Sequence, residues 1–219
     1  MKENIRRKIL IKIISKLESE KKKFENPLIS KIASNDKDPY KVLISCILSL
    51  RTRDKEAYKA SERLFSLARS PREMVKLSEK DIENAIKGVN YYKTKAKRIK
   101  EISEVLLKEY NGNVPKNIDE LLKLKGVGRK TANIVLSYAF GKDAIAVDTH
   151  VHRISNRLGV VKTKSTFETE KELMKILPKR YWKSVNQTFV TFGQNICLPR
   201  NPKCNICKIR KYCKRIGVK

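Results

Sequence analysis

Four cysteines near the end of the chain are spaced as the ligands of one metal centre. Cys197, Cys204, Cys207 and Cys213 are separated by six, two and five residues. Four thiolates suit either a tetrahedral zinc ion or a [4Fe-4S] cluster. Zinc ribbons usually contain two Cys-x-x-Cys pairs and this chain has one, so the spacing favours the cluster but leaves zinc open. The basic segment that contains three of these cysteines is expected to fold around them.

A glycine turn between two apolar segments is the second feature that could do chemistry. Residues 121–136 are predicted to form a helix, a tight Gly-x-Gly turn and a second helix. Glycine permits turn conformations and the close approach of another chain, and the free N–H groups that begin the second helix could bind a DNA phosphate. An ordinary helical hairpin is the alternative, although basic side chains flank the turn. The residues concerned are Lys125, Gly126, Val127, Gly128, Arg129 and Lys130.

Lys130 and Asp148 could supply a nucleophile and a carboxylate. Lys130 falls at the predicted start of a helix, where the helix dipole and nearby positive charges favour the free amine that attacks carbon. A phosphate contact is the alternative role for this lysine. Asp148 follows an apolar segment and precedes a helix, so it is either a simple N-cap or a group that takes a proton and stabilises positive charge.

The elements that must position these residues are predicted to be helices throughout. Apolar residues recur at helical spacing from Ile5 to Leu17, and Asp38–Pro39 predicts an N-cap before a largely buried helix. Three further helix starts have capping-box spacing, and only residues 144–147 resemble a short extended piece. We therefore predict an all-α protein with about ten short helices. The capping pairs are Ser70 with Glu73, Ser78 with Asp81, and Asn117 with Glu120.

The composition indicates a folded protein with a polyanionic partner. The 219 residues include 51 Lys and Arg against 23 Asp and Glu, which gives a formal net charge of +28 at pH 7. A hydrophobic fraction of 40% argues against a disordered basic tail. No apolar run approaches the roughly 20 residues of a membrane span, so we expect no membrane partner. In a reducing cytosol the cysteines are expected to be metal ligands or buried thiols, and Cys46, in an apolar helix, is expected to be a core residue.

These motifs together resemble the endonuclease III family of DNA glycosylase/AP lyases, in the helix-hairpin-helix glycosylase superfamily. The resemblance is carried by residues 121–140, by Val147–Asp148–Thr149–His150 and by the cysteine spacing, and it spans roughly residues 5–215. It implies a [4Fe-4S] cluster and a two-lobed, all-α fold that binds DNA in the groove between the lobes. A six-helix barrel would comprise residues 30–141. The second helical lobe, with the cluster loop, would comprise residues 1–29 and 142–219.

The resemblance also implies a reaction. Lys130 matches the lysine that forms a Schiff base, and Asp148 matches the catalytic aspartate. A damaged pyrimidine would flip out of the duplex, Lys130 would displace it from C1′ of the sugar, and β-elimination would cut the strand on the 3′ side. The expected partner is double-stranded DNA with oxidised pyrimidines or abasic sites. The family further implies a monomer. The lack of a signal-peptide core and of a membrane span leads us to expect a cytoplasmic protein associated with the nucleoid.

Two residues depart from the family pattern at positions that fill the space of the flipped base and probe the opposite strand. Arg51 stands where many members have glutamine, and Tyr91 where they often have leucine. Arg51 could bond to the orphaned base and Tyr91 could stack as a wedge, or both could touch phosphate alone. These departures leave the opposite-base preference open. Lys95, Lys97 and the basic residues around the cysteines are expected to contact phosphate.

Two other functions fit the same sequence. A mismatch glycosylase that removes thymine or uracil opposite guanine would use the same scaffold, although the presence of Lys130 favours the bifunctional enzyme. A redox-sensing or architectural protein would bind DNA through the hairpin and the cluster without cutting it. The basic cluster loop leads us to expect a structural, DNA-positioning cluster with no redox step in catalysis.

Overall fold

The computed structural model describes residues 3–21, 23–24, 27–35 and 37–218, and within these ranges every regular element is helical. The prediction of an all-α protein is confirmed. A π-helical turn at Val135–Ala139 continues the ninth α-helix, and 3₁₀ turns lie at Lys179–Tyr181 and Arg210–Tyr212. The α-helices are α1 Glu3–Lys21, α2 Leu28–Asn35, α3 Pro39–Ser49, α4 Asp54–Leu67, α5 Pro71–Met74, α6 Glu79–Ala85, α7 Tyr92–Tyr110, α8 Ile118–Lys123, α9 Arg129–Ile134, α10 Thr149–Leu158, α11 Thr166–Ile176 and α12 Trp182–Asn195.

The predicted helix starts are present because side chains accept the first N–H groups of each helix. Asp38 caps α3 by accepting from the N–H two residues further on at 2.8 Å. Ser78 and Asp81 form a complete capping box at the start of α6. Ser70 and Asn117 accept N–H groups in the same way at α5 and α8. These N–H groups have no partner inside the helix, so each cap fixes where its helix begins.

The chain divides into two compact units. The terminal unit comprises Met1–Pro27 and Asp143–Lys219, and the central unit comprises Leu28–Lys142. No helix in the described part of the chain combines the length and the apolar character that crossing a membrane requires.

Helix α3 lies at the centre of the central unit. All of its side chains from Val42 to Leu48 are buried, and α4, α7 and α9 all contact it. Cys46 belongs to this buried run, and burial raises the pKa of its thiol to about 12. The prediction that Cys46 is a core residue is therefore confirmed.

The core of the terminal unit joins α1 to α10, α11 and α12. The predicted apolar stripe of α1 is wrong at its first position, because Ile5 is 48% exposed whereas Leu10, Ile13 and Ile14 are fully buried. Steps of four residues turn about 40° beyond a full circle on a helix of 3.6 residues per turn. A stripe drawn at that spacing therefore drifts off the core-facing side.

Residues 144–147, which were expected to form a short extended piece before α10, do not form a strand. Their four side chains are buried, and the described residues offer no strand for them to pair with. Instead, Asn186 of α12 donates from Nδ2 to Ala146 O at 2.8 Å. This bond holds the segment that leads directly to Asp148.

We expect Asn186→Ala to lower the free energy of unfolding by about 1–3 kcal/mol, because the buried carbonyl of Ala146 would lose its donor. Urea unfolding followed by circular dichroism measures the change. Gln194→Ala, at an exposed position on the same helix, is the control. A loss for Asn186→Ala no greater than that of the control would contradict the assigned role of this bond.

Candidate active site and metal centre

The glycine turn joins α8 to α9 in the central unit, as predicted. Gly126 adopts a φ of +83°, which favours glycine, and an added Cβ would lie 3.0 Å from the Arg98 side chain. Val127 is buried and donates its N–H to Leu124 O at 2.9 Å. The first glycine and the valine therefore shape the turn itself.

Gly128 has no such local explanation. It is the N-cap of α9 with a φ of −90°, a conformation open to any residue. A Cβ added at this position meets no atom within 4 Å. The space that a side chain of residue 128 would fill is therefore empty of protein atoms at the start of α9.

Lys130 is the second residue of α9, so its predicted position at a helix start is confirmed. Its side chain is partly exposed, and its charge acts on the Cys46 thiol of α3. Burial raises the pKa of Cys46, and the positive charge of Lys130 partly opposes that rise. The amine of Lys130 therefore lies near α3 and at the N-terminal end of α9.

Arg51 and Tyr91 occupy two turns of the central unit that are hydrogen-bonded to each other. Asn90 Nδ2 donates to Arg51 O, and Asn90 N donates to Thr52 Oγ1 at 3.2 Å. Arg51 and Tyr91 have φ values of +54° and +59°, in the left-handed region that residues other than glycine seldom adopt. Both side chains are exposed, Tyr91 by 63%. The structure thus brings these two predicted residues together on one surface.

The prediction that Lys95 contacts phosphate is wrong. Its side chain is only 7% exposed, and Nζ donates to Leu48 O at 2.8 Å, Leu50 O at 2.6 Å and Thr52 Oγ1 at 3.1 Å. An ammonium group has three N–H donors, so all of them are used. Burial lowers the pKa of Lys95 to about 8. No feature of the sequence separates Lys95 from Lys97, which lies on the same helix, carries the same charge and is exposed.

Asp148 begins α10 in the terminal unit, and the N-cap interpretation is confirmed. Its Oδ1 atom accepts from His150 N at 2.8 Å and from Val151 N at 2.9 Å. Both bonds use the same oxygen, which leaves Oδ2 outside the cap. The carboxylate is partly exposed, so capping fixes its orientation without consuming it.

Arg153 is a residue of this region that sequence reasoning missed. From α10 its Nη2 atom donates to Cys197 O at 2.8 Å and to Gly193 O at 3.2 Å, and it lies 3.1 Å from His150 Nδ1. A Cβ on Gly193 would lie 2.5 Å from the same ring nitrogen. Gly193, a glycine inside a helix, was the one sequence feature that could have indicated a close approach here. Arg153 by itself does not stand out among the 51 Lys and Arg residues of the chain.

The four cysteines predicted as ligands line one cavity of the terminal unit. Arg157, from α10, donates to Cys197 Sγ at 3.4 Å and to Leu198 O at 2.6 Å. The backbone N–H of Arg215 donates to Cys213 Sγ at 3.3 Å. The other walls are mainly apolar, and they include Ile154, Leu158, Phe192, Ile196 and Ile209.

This donor set fits an iron–sulfur cluster. Burial raises the pKa values of Cys207 and Cys213, and N–H groups directed at their sulfur atoms oppose the rise and stabilise thiolates. Among the residues that the structure describes, no three His, Cys, Asp or Glu side chains are grouped to hold a single metal ion. Four thiols around one mainly apolar cavity are a donor set that either a [4Fe-4S] cluster or a zinc ion could use.

Comparison with known proteins finds relatives that agree with one another in family. The profile of the HhH-GPD superfamily of base excision DNA repair proteins matches residues 44–179. Endonuclease III of Thermotoga maritima is 53% identical over 176 residues, which cover 80% of this chain and 83% of that protein. A solved trapped endonuclease III–DNA covalent intermediate is 41% identical with a TM-score of 0.77, over 81% of this chain and 84% of that one. A thermostable thymine-DNA glycosylase is 28% identical with a TM-score of 0.84, over 97% of each chain.

The superfamily profile spans more than half of the chain, and the identity to endonuclease III extends over four fifths of it. The matched region includes the glycine turn, Lys130 and the Asp148 cap of α10. The chain therefore belongs to the endonuclease III family, within the HhH-GPD superfamily of base excision DNA repair proteins.

Proposed function

We propose that this protein is a bifunctional DNA glycosylase and AP lyase that removes oxidised pyrimidines from duplex DNA. The observation that carries the proposal is a partly exposed lysine, Lys130, placed at the start of α9 directly after the glycine turn. An accessible primary amine at this position is the group that covalent catalysis at a sugar carbon requires. The endonuclease III relative that was solved as a trapped covalent intermediate with DNA supports the same chemistry.

In the proposed reaction the free amine of Lys130 attacks C1′ of the damaged nucleotide, and the bond from C1′ to the base breaks. Asp148, with Oδ2 outside its N-cap, stabilises the positive charge that develops on the sugar. The new C1′–N bond becomes an imine as the sugar ring opens. Loss of a C2′ proton then expels the 3′ phosphate and cuts the strand, and water hydrolyses the imine to release Lys130.

The proposed DNA contacts lie mainly in the central unit. We propose that the turn from Gly126 to Arg129 binds a phosphate, with Val127 shaping the turn because its N–H is used within it, and that Arg51 and Tyr91 enter the duplex where the flipped nucleotide stood. The exposure of both side chains and the open space at Gly128 support this assignment. The central unit would be the six-helix barrel and the terminal unit the cluster-bearing lobe of a monomer that acts at the nucleoid.

The proposed cofactor is a [4Fe-4S] cluster held by Cys197, Cys204, Cys207 and Cys213. When bound, the cluster would cross-link the C-terminal loop and position its basic side chains, with no electron transfer during base removal. Arg157 and the N–H groups directed at the sulfur atoms would offset the thiolate charge.

A second candidate function is removal of thymine or uracil opposite guanine. It is favoured by the likeness to a thymine-DNA glycosylase, which extends over 97% of both chains. A duplex panel separates the two functions. Faster excision of thymine from a T·G pair than of thymine glycol opposite adenine would select the mismatch enzyme.

We expect Lys130→Ala to abolish the covalent adduct that borohydride traps on a duplex with one thymine glycol, because no other amine would reach C1′. Denaturing gel electrophoresis measures the adduct. Lys123→Ala, an exposed lysine on the neighbouring α8, is the control and should retain it. An adduct formed by Lys130→Ala would refute the assigned nucleophile, and DNA binding with no cleavage by the unmutated protein would favour the non-enzymatic DNA-binding alternative.

Gly128→Ala is expected to fold normally and to bind DNA roughly tenfold more weakly, because a methyl group would block phosphate from N–H groups that form charge-assisted bonds. Fluorescence anisotropy on a duplex with an uncleavable abasic-site analogue measures affinity. Thermal unfolding serves as the control, since the added Cβ meets no protein atom within 4 Å. Unchanged affinity would remove Gly128 from the DNA interface.

The cofactor proposal predicts about four iron atoms and as many inorganic sulfides per chain. Cys204→Ser should lose most of both, because a cluster with three thiolates is held less firmly. Cys46→Ala should retain them, since Cys46 is not among the residues that line the cavity. One zinc ion per chain without sulfide, measured by elemental analysis, would instead establish a zinc site.

A further inference from the structure

Lys95 joins two turns that carry the proposed DNA-inserting residues. Its Nζ atom bonds to Leu48 O and Leu50 O, at the end of α3, and to Thr52 Oγ1 just beyond Arg51. Thr52 Oγ1 in turn accepts from Asn90 N, next to Tyr91. The buried ammonium thus holds the Arg51 turn directly and is linked to the Tyr91 turn through Thr52.

The two turns need such support because their backbone conformations are unfavourable. Arg51 and Tyr91 both have positive φ values, and a non-glycine residue stays in that region only when surrounding contacts hold it there. The side chains above the buried ammonium give little of that support, since Leu50 is 37% and Tyr91 63% exposed. Bonds within the first turn contribute, from Thr52 N to Ser49 O at 3.1 Å and from Thr52 Oγ1 to Leu50 O at 3.3 Å. The hydrogen bonds from Lys95 and Asn90 add support from outside that turn.

The charge of Lys95 suits this position. The last carbonyls of a helix have no partner inside the helix and carry partial negative charge, which an ammonium group offsets. Three acceptors converge on Nζ, and the ammonium has three N–H groups to donate. A methionine of similar length would leave all three acceptors without this donor.

We propose that Lys95 is a positioning residue for DNA distortion, which fixes the turns so that Arg51 and Tyr91 enter the duplex as one preformed unit. This inference rests on the proposed roles of Arg51 and Tyr91 in replacing the flipped nucleotide. Lys95 itself touches no DNA, because its donors are used within the protein. Its contribution belongs to flipping in duplex DNA and not to the chemistry at C1′.

The test compares Lys95→Met with the unmutated protein on two substrates. In duplex DNA with thymine glycol, single-turnover excision is expected to fall about tenfold or more, since misplacement of positioning groups costs that much. Cleavage of an abasic site in single-stranded DNA needs no flipping out of a duplex, and it should stay within about twofold. Both assays are run well below the thermal unfolding temperature of the variant.

Lys100→Met is the matched control. Lys100 is also a lysine of α7 that donates to a backbone carbonyl, Leu77 O at 2.8 Å, but its partner lies outside the two turns. It should match the unmutated protein on both substrates. Equal losses by Lys95→Met on both substrates, or duplex excision within twofold of the unmutated protein, would overturn the positioning role.

A double-mutant cycle tests whether Lys95 acts through Arg51 and Tyr91. If it does, Lys95→Met should add little to the loss in a protein that already carries Arg51→Ala and Tyr91→Ala. A full additional loss would contradict the proposal. Fluorescence of 2-aminopurine opposite an abasic-site analogue reports insertion without any cleavage. The 2-aminopurine fluorescence should rise less when the duplex binds Lys95→Met than when it binds the unmutated protein. This assay needs no cleavage, so it tests the positioning role even if the unmutated protein cuts neither substrate and the proposed function fails.

Discussion

The burial of α3 from Val42 to Leu48 is the constraint on which the central unit depends. A helix whose side chains from Val42 to Leu48 are all inaccessible must satisfy its terminal backbone groups with partners from the protein. Asp38 does so at the first turn, and Lys95 does so at the last. Lys95 is therefore needed because α3 ends inside the protein, where its last carbonyls require a donor. The exposed turn around Arg51 follows directly from the end of that buried helix.

Helix α10 has a comparable place in the terminal unit. It begins at Asp148, and two of its arginines bind the segment that carries Cys197. The orientation of the Asp148 carboxylate and the position of the cysteine loop thus both depend on the position of α10. Ile154 and Leu158 complete the arrangement, because they anchor α10 in the core and also line the cysteine cavity.

The parts that could be predicted from sequence are those determined by residues a few positions apart. Helix caps such as Ser78 with Asp81 and the turn at Gly126 depend on local geometry, and the structure contains them. The errors arose where distant residues decide the outcome. Lys95 and Lys97 are indistinguishable in sequence, and only the approach of the α3 carbonyls to one of them separates a buried ammonium from an exposed one. Arg153 was missed for the same reason, because its partner at Cys197 lies 44 residues away.

The inaccessibility of Cys46 has a practical consequence for work with this protein. Its buried thiol, with a pKa raised to about 12, carries almost no thiolate at neutral pH, whereas the other four cysteines are partly accessible. Alkylating reagents therefore distinguish them in the folded chain. A preparation in which mass spectrometry finds four added labels has lost whatever the four clustered cysteines hold, and a fifth label marks chains that have unfolded. The chain contains its own internal reference for occupancy and for folding.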